Sequence, residues 1–314
     1  MSETAKISVV IPCFNAEKYI AAAIRSVLAQ DWPDLEIVVV DDGSSDGSAE
    51  LVRDSFPGVR LVRQENRGVA AARNNGISCA RGDWIAFLDA DDIWLPGKLQ
   101  AQMDLLKAIP DARMCYTAWE VWTSSDPIPE PEYLDALQRQ AGEVNRWSGA
   151  SGWIYPQLLL DCVVWTSTVL AQRSVFLEVG YFDPALPRGE DYDLWLRASR
   201  VTQILRVAAP YALYRMHPSS ITKSVPERNY RFLVVGRALS RWGYSSPNGA
   251  AARESAVNRA LAKTWTDLAC AHLRVGNSGR ARQAALMALR TDPCHPVGWK
   301  TLLKILAASL AGGG

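Results

Sequence analysis

The feature that most limits what this chain can fold into is a rhythm in its N-terminal third. Short runs of β-branched and aliphatic residues, Ile7 to Pro12, Leu35 to Val40, Val59 to Val62 and Trp84 to Leu88, are each followed by polar residues and then, after the first three, by a helix-like stretch. Behind Asn15, placed as a helix cap, Ile20, Ile24, Val27 and Leu28 make one apolar stripe; a second helix is expected near 46 to 55, and Gly68 opens a third of small residues, Val69 to Ala80. The runs are apolar throughout instead of alternating, which is the pattern of strands buried on both faces. Strand and helix in alternation predict an α/β fold, a mostly parallel Rossmann-like sheet with helices on both faces and ligands at the carboxyl ends of the strands.

Those strand ends carry the polar groups. Pro12 to Asn15, Asp41 to Asp46 and Asp89 to Asp92 reach the same sheet edge, so the carboxylates at 42, 89 and 91 are expected to converge. If the strand continues, Asp89 and Asp91 share one face and Asp92 turns elsewhere as a cap. Paired carboxylates at the end of a buried strand raise a pKa or call for a hard cation such as Mg2+ or Mn2+; a solvated acidic turn before the Pro96 helix is the plainer alternative. Further on, Leu99, Met103 and Leu106 form another stripe, and Met114 to Trp122 and 163–171 read as strands. Thr123 to Gly152, rich in proline, reads as an insertion or flexible loop over one edge. A second acidic cluster, Glu190, Asp191 and Asp193, begins a helix with Leu194, Trp195 and Ala198 inward. Glu190 and Asp193 suit ordinary first-turn placement beside the helix dipole, which leaves Asp191 as the candidate for chemistry. Residues 211–217 alternate like a strand and end in Arg215 and His217, two further candidates.

Composition narrows the classes. With 314 residues and 48% of them hydrophobic, the chain can bury a large core, and a net charge of +1 excludes a general pull toward nucleic acid. Six cysteines without close pairing read as reduced, buried thiols of a cytoplasmic protein, and neither a secretory leader nor an apolar run of about 18 residues is present. Most of the 12 tryptophans read as core packing, with sugar-stacking or interfacial surfaces as the alternative. From Pro226 the pattern turns helical, at 227–242, 253–275, 279–290 and 296–310, the last three resembling a helical-hairpin repeat of about 34 residues. Trp299, Leu302, Leu303, Ile305, Leu306 and Leu310 with Lys300 and Lys304 give the final helix two readings, packing or peripheral attachment to the inner face of a membrane.

Val9 to Asn15, Val39 to Ser44, Glu65 to Gly68 with Ala72 to Gly76, Phe87 to Asp92 and Gly189 to Arg197 together, in order and spacing, resemble family 2 glycosyltransferases over roughly residues 5 to 222. The resemblance implies a GT-A catalytic domain over 1–222 followed by an all-helical extension over 223–314, a nucleotide-sugar donor with UDP preferred to GDP or dTDP, a divalent metal, inversion at the anomeric carbon, and a glycan or lipid-linked acceptor in cell-envelope polysaccharide synthesis. It further implies that Phe14 and Asp42 hold the base, that Asp89 faces the ribose or sugar, that Asp91 ligates the metal, and that Asp191 is the catalytic base. His217 is placed at the metal and Arg215 at the diphosphate; Pro12, Asn15, Gly68, Arg73 and Ala90 belong to the donor-side motifs. Two other classes stand beside this reading: a non-catalytic nucleotide-sugar binder, and a receiver-like phosphoacceptor domain whose acidic pocket Asp41, Asp42 and Asp89 imitate. A dinucleotide-dependent dehydrogenase is disfavoured, because no Gly-x-Gly-x-x-Gly follows the first strand. Oligomeric state is left open by the sequence.

Overall fold

The computed structural model describes residues 5–123, 126–140, 150–217 and 224–311. Contacts divide the chain into two compact units, residues 1–154 with 163–217, and residues 155–162 with 218–314. The first is built on one eight-stranded sheet of β1 (Ile7–Cys13), β2 (Leu35–Asp41), β3 (Arg60–Arg63), β4 (Trp84–Phe87), β5 (Ile93–Trp94), β6 (Met114–Trp122), β7 (Leu170–Gln172) and β8 (Ile204–Arg215). Their order in space is β3-β2-β1-β4-β7-β6-β8-β5. The first four pair in parallel, as the uniformly apolar runs require. Beyond β4 the sheet is mixed: β7 runs antiparallel to β4 and β6, β8 parallel to β6, and β5 antiparallel to β8. Parallel pairing therefore still prevails, and β4, β6 and β8 all point the same way.

Strand alternation sorts the core. Val9, Ile11, Ile37 and Val39 face Ile20, Ile24 and Val27 of α1 (Ile20–Leu28), together with Val52 of α2 (Ser48–Ser55). Val38 and Val40 face the other way, onto Ala72 of α3 (Val69–Cys79). Each aliphatic side chain buried this way contributes about 1.5–3 kcal/mol of transfer free energy, which explains why small residues fill α3: they let it lie close to the strands. At Gly76 an added Cβ would stand 2.3 Å from Val10 Cγ1. The α4 helix (Lys98–Ala108) adds Leu99, Met103 and Leu106 to the first layer. It also buries Lys98, whose amine lies 3.8 Å over the Trp94 ring and donates to Gln102; burial pulls its pKa down to about 7.

Several expectations change. The strand from Trp84 stops at Phe87, so strand alternation does not describe Asp89 to Asp92, which lie in a turn closed by Asp92 N to Asp89 O. Asn15 is not a helix cap: α1 begins five residues later, and Asn15 holds a left-handed conformation, φ 50°. Leu28 is 52% exposed because the α1 stripe closes with Val27. Pro12 sits within the β1 ladder opposite Val40 instead of ending it. Residues 166–168 form a 3-10 turn, leaving only Leu170–Gln172 as strand, since Thr166, Ser167 and Thr168 spend their hydroxyls on side chains and backbone outside the ladder. Part of the 123–152 segment lies outside the described residues, as does 218–222. Within that segment α5 (Pro131–Gln140) is a helix, with Leu137 buried against Ile93, Leu95, Trp122 and Leu213. All six cysteines are free thiols, but burial holds only for Cys13 and Cys115, while Cys294 is exposed.

The second unit contains α6 (Tyr155–Leu158), α9 (Tyr230–Trp242), α10 (Glu254–Arg274), α11 (Ser278–Thr291) and α12 (Pro296–Ala311); α7 (Arg173–Val179) and α8 (Glu190–Ala198) belong to the first. Asn229 and Asn277 cap α9 and α11 through their side chains. The α10–α12 core is Leu268, Ala269, Ala281, Ala285, Leu302 and Ile305. Trp299 and Leu303 stay 51% and 62% exposed, so the apolar residues of α12 divide between two faces; the side chain of Leu310 is outside the described set. No helix among the described residues is long and apolar enough to cross a membrane.

Candidate active site

Because β1, β2, β4, β6 and β8 point the same way, their carboxyl ends deliver Phe14, Asp42, Asp89 and His217 to one edge. Antiparallel β7 brings the turn that precedes it, Thr166 to Thr168, to that edge too. Asp42 is buried and accepts three hydrogen bonds: Oδ1 from Gln64 Nε2 at 2.7 Å and Arg67 N at 2.9 Å, Oδ2 from Gly68 N at 2.9 Å. Of about four lone-pair sites on a carboxylate, one stays open. Gly68, at φ +86°, gives the backbone that conformation and passes the chain into α3. Asn15 N donates to Ser44 Oγ at 2.9 Å and its Oδ1 accepts from Ser45 N at 2.8 Å, tying the β1 and β2 ends together. Phe14 stands 51% exposed beside them, while Pro12 and Ala90 are buried supports.

Arg73 on α3 joins the two acidic clusters. One guanidinium nitrogen bonds Asp89 Oδ1 at 2.7 Å and another bonds Glu190 Oε1 at 2.8 Å, although the two carboxylates are far apart in the sequence. The guanidinium lies over the Phe182 ring at 5.4 Å, and its Nε has no partner among the described residues. Burial alone would weaken the proton's hold on Arg73, but Asp89, Glu190 and Asp191 raise its pKa. Glu190 is pushed up by burial and by Asp191, against the pull of Arg73. The first-turn placement expected for Glu190 is therefore its position but not its whole use. Asp191, half-buried, accepts from Thr166 Oγ1 at 3.0 Å and from Tyr192 N at 2.7 Å. Asp193 is bound to Arg197 at 2.8 Å, within its own helix.

The Asp89–Asp92 turn sends its three carboxylates to different partners. Asp91 Oδ2 lies 2.9 Å from His217 Nε2, and its pKa is raised by burial and by Asp89. Asp92, which the sequence offers only as a cap, is 1% exposed; Ser167 Oγ donates to it at 2.7 Å and Arg215 N at 3.0 Å. Burial first, then Asp91 and Asp89, drive its pKa well up. Ser167 Oγ also accepts from Asp89 N at 3.0 Å. Neither Ser167 nor Thr166 is prominent in the sequence; three hydroxyls inside an apolar run were the available signal. Arg215 is fully buried between Trp122 and Tyr19, at 4.1 and 4.9 Å, and donates to the carbonyls of Asp91, Asp126 and Pro127. That placement makes it a brace for the turn.

Asp91 and His217 fit a divalent cation. A hard oxygen and an imidazole nitrogen converge beside two further carboxylates whose mutual repulsion a cation relieves. Among the described residues no group of three or more His, Cys, Asp or Glu could hold a metal ion by itself.

Residues 8–135 match Glycosyl transferase family 2. An uncharacterised glycosyltransferase of Rickettsia conorii is 30% identical over 226 residues, 71% of this chain and 36% of that protein, so the chain spans about a third of that relative's length. The Escherichia coli UDP-Glc:alpha-D-GlcNAc-diphosphoundecaprenol beta-1,3-glucosyltransferase WfgD is 29% identical over 222 residues, 69% of this chain and 80% of that one. Among solved structures, S. aureus TarS 1-349 in complex with UDP-GlcNAc superimposes with a TM-score of 0.61 at 16% identity, covering 98% of this chain and 92% of that one, a likeness of fold.

Proposed function

We propose that the chain is a family 2 glycosyltransferase that moves a sugar from a nucleoside-diphosphate donor, UDP-linked, to a hydroxyl of a saccharide or lipid-linked saccharide, inverting the anomeric centre. The observation that carries this reading is Arg73, which bonds Asp89 and Glu190 together and so brings the Asp191 helix to the strand ends. In this reading the open lone pair of Asp42 and the exposed ring of Phe14 hold the base. Asp89 spends Oδ1 on Arg73 and keeps Oδ2 for ribose or sugar hydroxyls. Asp91 with His217 would hold a divalent cation, which would supply charge neutralisation for the departing diphosphate. An acceptor hydroxyl titrates far above neutrality, so a carboxylate must take its proton as it attacks; Asp191, fixed by Thr166, does this. Attack opposite the leaving group needs no enzyme nucleophile and inverts the carbon. The E. coli relative's acceptor, a saccharide on diphosphoundecaprenol, supports a lipid-linked saccharide as the acceptor class; work in cell-envelope polysaccharide synthesis, at the cytoplasmic face of the membrane, is part of the same proposal.

A panel of UDP-, GDP- and dTDP-sugars with Mn2+ or Mg2+, read by nucleotide release and by thermal shift, tests the class. Stabilisation by one nucleotide with a metal is expected; indifference to all of them would remove the proposal. Asp191→Asn is expected to bind donor normally and to lose about 100-fold or more in turnover. Full turnover in that variant would assign the proton transfer elsewhere.

A further inference from the structure

We propose that the cleft between α9, α10 and α11 in the helical unit is a docking site for an acidic, amphipathic peptide segment of a partner protein. The cleft measures about 780 Å³, within the roughly 300–1,000 Å³ of pockets that accept ligands. Its floor is apolar and aromatic, formed by Phe232, Trp265, Leu268, Ala284 and Met287, with the Phe232 and Trp265 rings 5.2 Å apart. Two arginines, Arg228 and Arg280, are exposed around it, against a single lining carboxylate, Glu227. A cleft with this surplus of positive charge over an apolar floor selects an occupant that is both hydrophobic and acidic.

One detail favours a peptide over an anionic lipid. Ser240 and Gln283 are exposed among the lining residues and offer a hydroxyl and an amide, groups that pair with a polypeptide backbone and have no use beside hydrocarbon. Met287 supplies the adaptable contact that peptide grooves employ. None of these residues takes part in the transfer chemistry proposed above.

The test pans a displayed peptide library against the full chain and measures recovered peptides, fluorescein-labelled, by polarisation. Sequences enriched in Asp and Glu alternating with aliphatic or aromatic residues are expected. Two variants locate them. Arg228→Glu with Arg280→Glu reverses rim charge at exposed positions, and a glutamate at 280 suits the first turn of α11, so the fold tolerates it. Gly236→Leu adds a side chain where nothing lies within 4 Å of the new Cβ, filling the cleft without a clash. Both should weaken binding by about 10-fold or more while donor hydrolysis is unchanged. Peptides that bind both variants as tightly as the parent overturn the proposal, as does a library that yields no acidic sequences. Phosphatidylglycerol vesicles retained through the same arginines, with no peptide bound, would give the cleft to lipid instead.

Discussion

Arg73→Met tests the joint between the two acidic clusters. The substitution keeps volume and apolar contact with Phe182 but removes the cation that bonds Asp89 at 2.7 Å and Glu190 at 2.8 Å, both side chains being largely shielded from water. Breaking a buried ion pair by deleting one partner costs about 3–5 kcal/mol, because the remaining charges lose their compensation. For a domain of this size that is roughly 10 °C in melting temperature. The loss should depend on pH in a definite direction. Glu190 is already raised by burial and Asp191, and without Arg73 it rises further. A carboxyl whose folded pKa exceeds its unfolded value favours the fold at low pH, and that contribution is lost as pH climbs from the unfolded value through the folded one. The variant should therefore recover part of its stability on acidification from neutrality toward the ordinary carboxylate range, and adding Glu190→Gln should recover part of it at neutral pH and little at the acid end, where Glu190 is already protonated. Thermal and urea unfolding of the four members of this double-mutant cycle would be compared across that range. A single-variant loss below about 1 kcal/mol, or one flat with pH, would refute the role given to Arg73.

The remaining predictions are narrower. Thr166→Val removes a hydrogen bond to the Asp191 carboxylate, worth about 1.5–3 kcal/mol, and should lower kcat roughly 10-fold with KM for donor unchanged; a KM effect alone would place Thr166 in donor binding. Asp91→Ala should abolish the dependence of nucleotide affinity on Mn2+, read by calorimetry, and a variant that still gains affinity from the ion would put the ligand elsewhere. Gly76→Ala should cost about 1–3 kcal/mol in urea unfolding through overpacking against Val10, and a neutral result would mean that α3 shifts freely on the sheet.

Much of the first layer was legible because local pattern and tertiary demand agree there. Val9 to Ile11 and Ile37 to Val40 are apolar on both sides, and buried parallel strands ask for nothing else. Met114–Trp122 is a strand with the limits its sequence gave it. Asp42, Asp89, Asp91 and Asp191 were legible as candidates because they lie at the ends of apolar runs or the start of a helix. What stayed hidden depends on partners distant in the chain. Asp92 looks like a cap until Ser167 and the Arg215 amide close over it. Glu190 looks like a helix-start residue until Arg73 arrives from α3. Arg215, at a strand end among acidic residues, reads as a ligand contact, whereas burial between two aromatic rings turns it onto backbone carbonyls. Strand direction beyond β4 is likewise set by long connections that local periodicity does not encode.

The Ser167 hydroxyl accepts from the Asp89 amide and donates to the Asp92 carboxylate, while its neighbour Thr166 holds Asp191. Under the roles proposed for Asp89 and Asp191, donor grip and proton removal would thereby be geared to one short segment. A change that shifts Ser167 to retune the donor side would carry the Thr166 contact with it, so that donor choice and rate would be inherited as one trait.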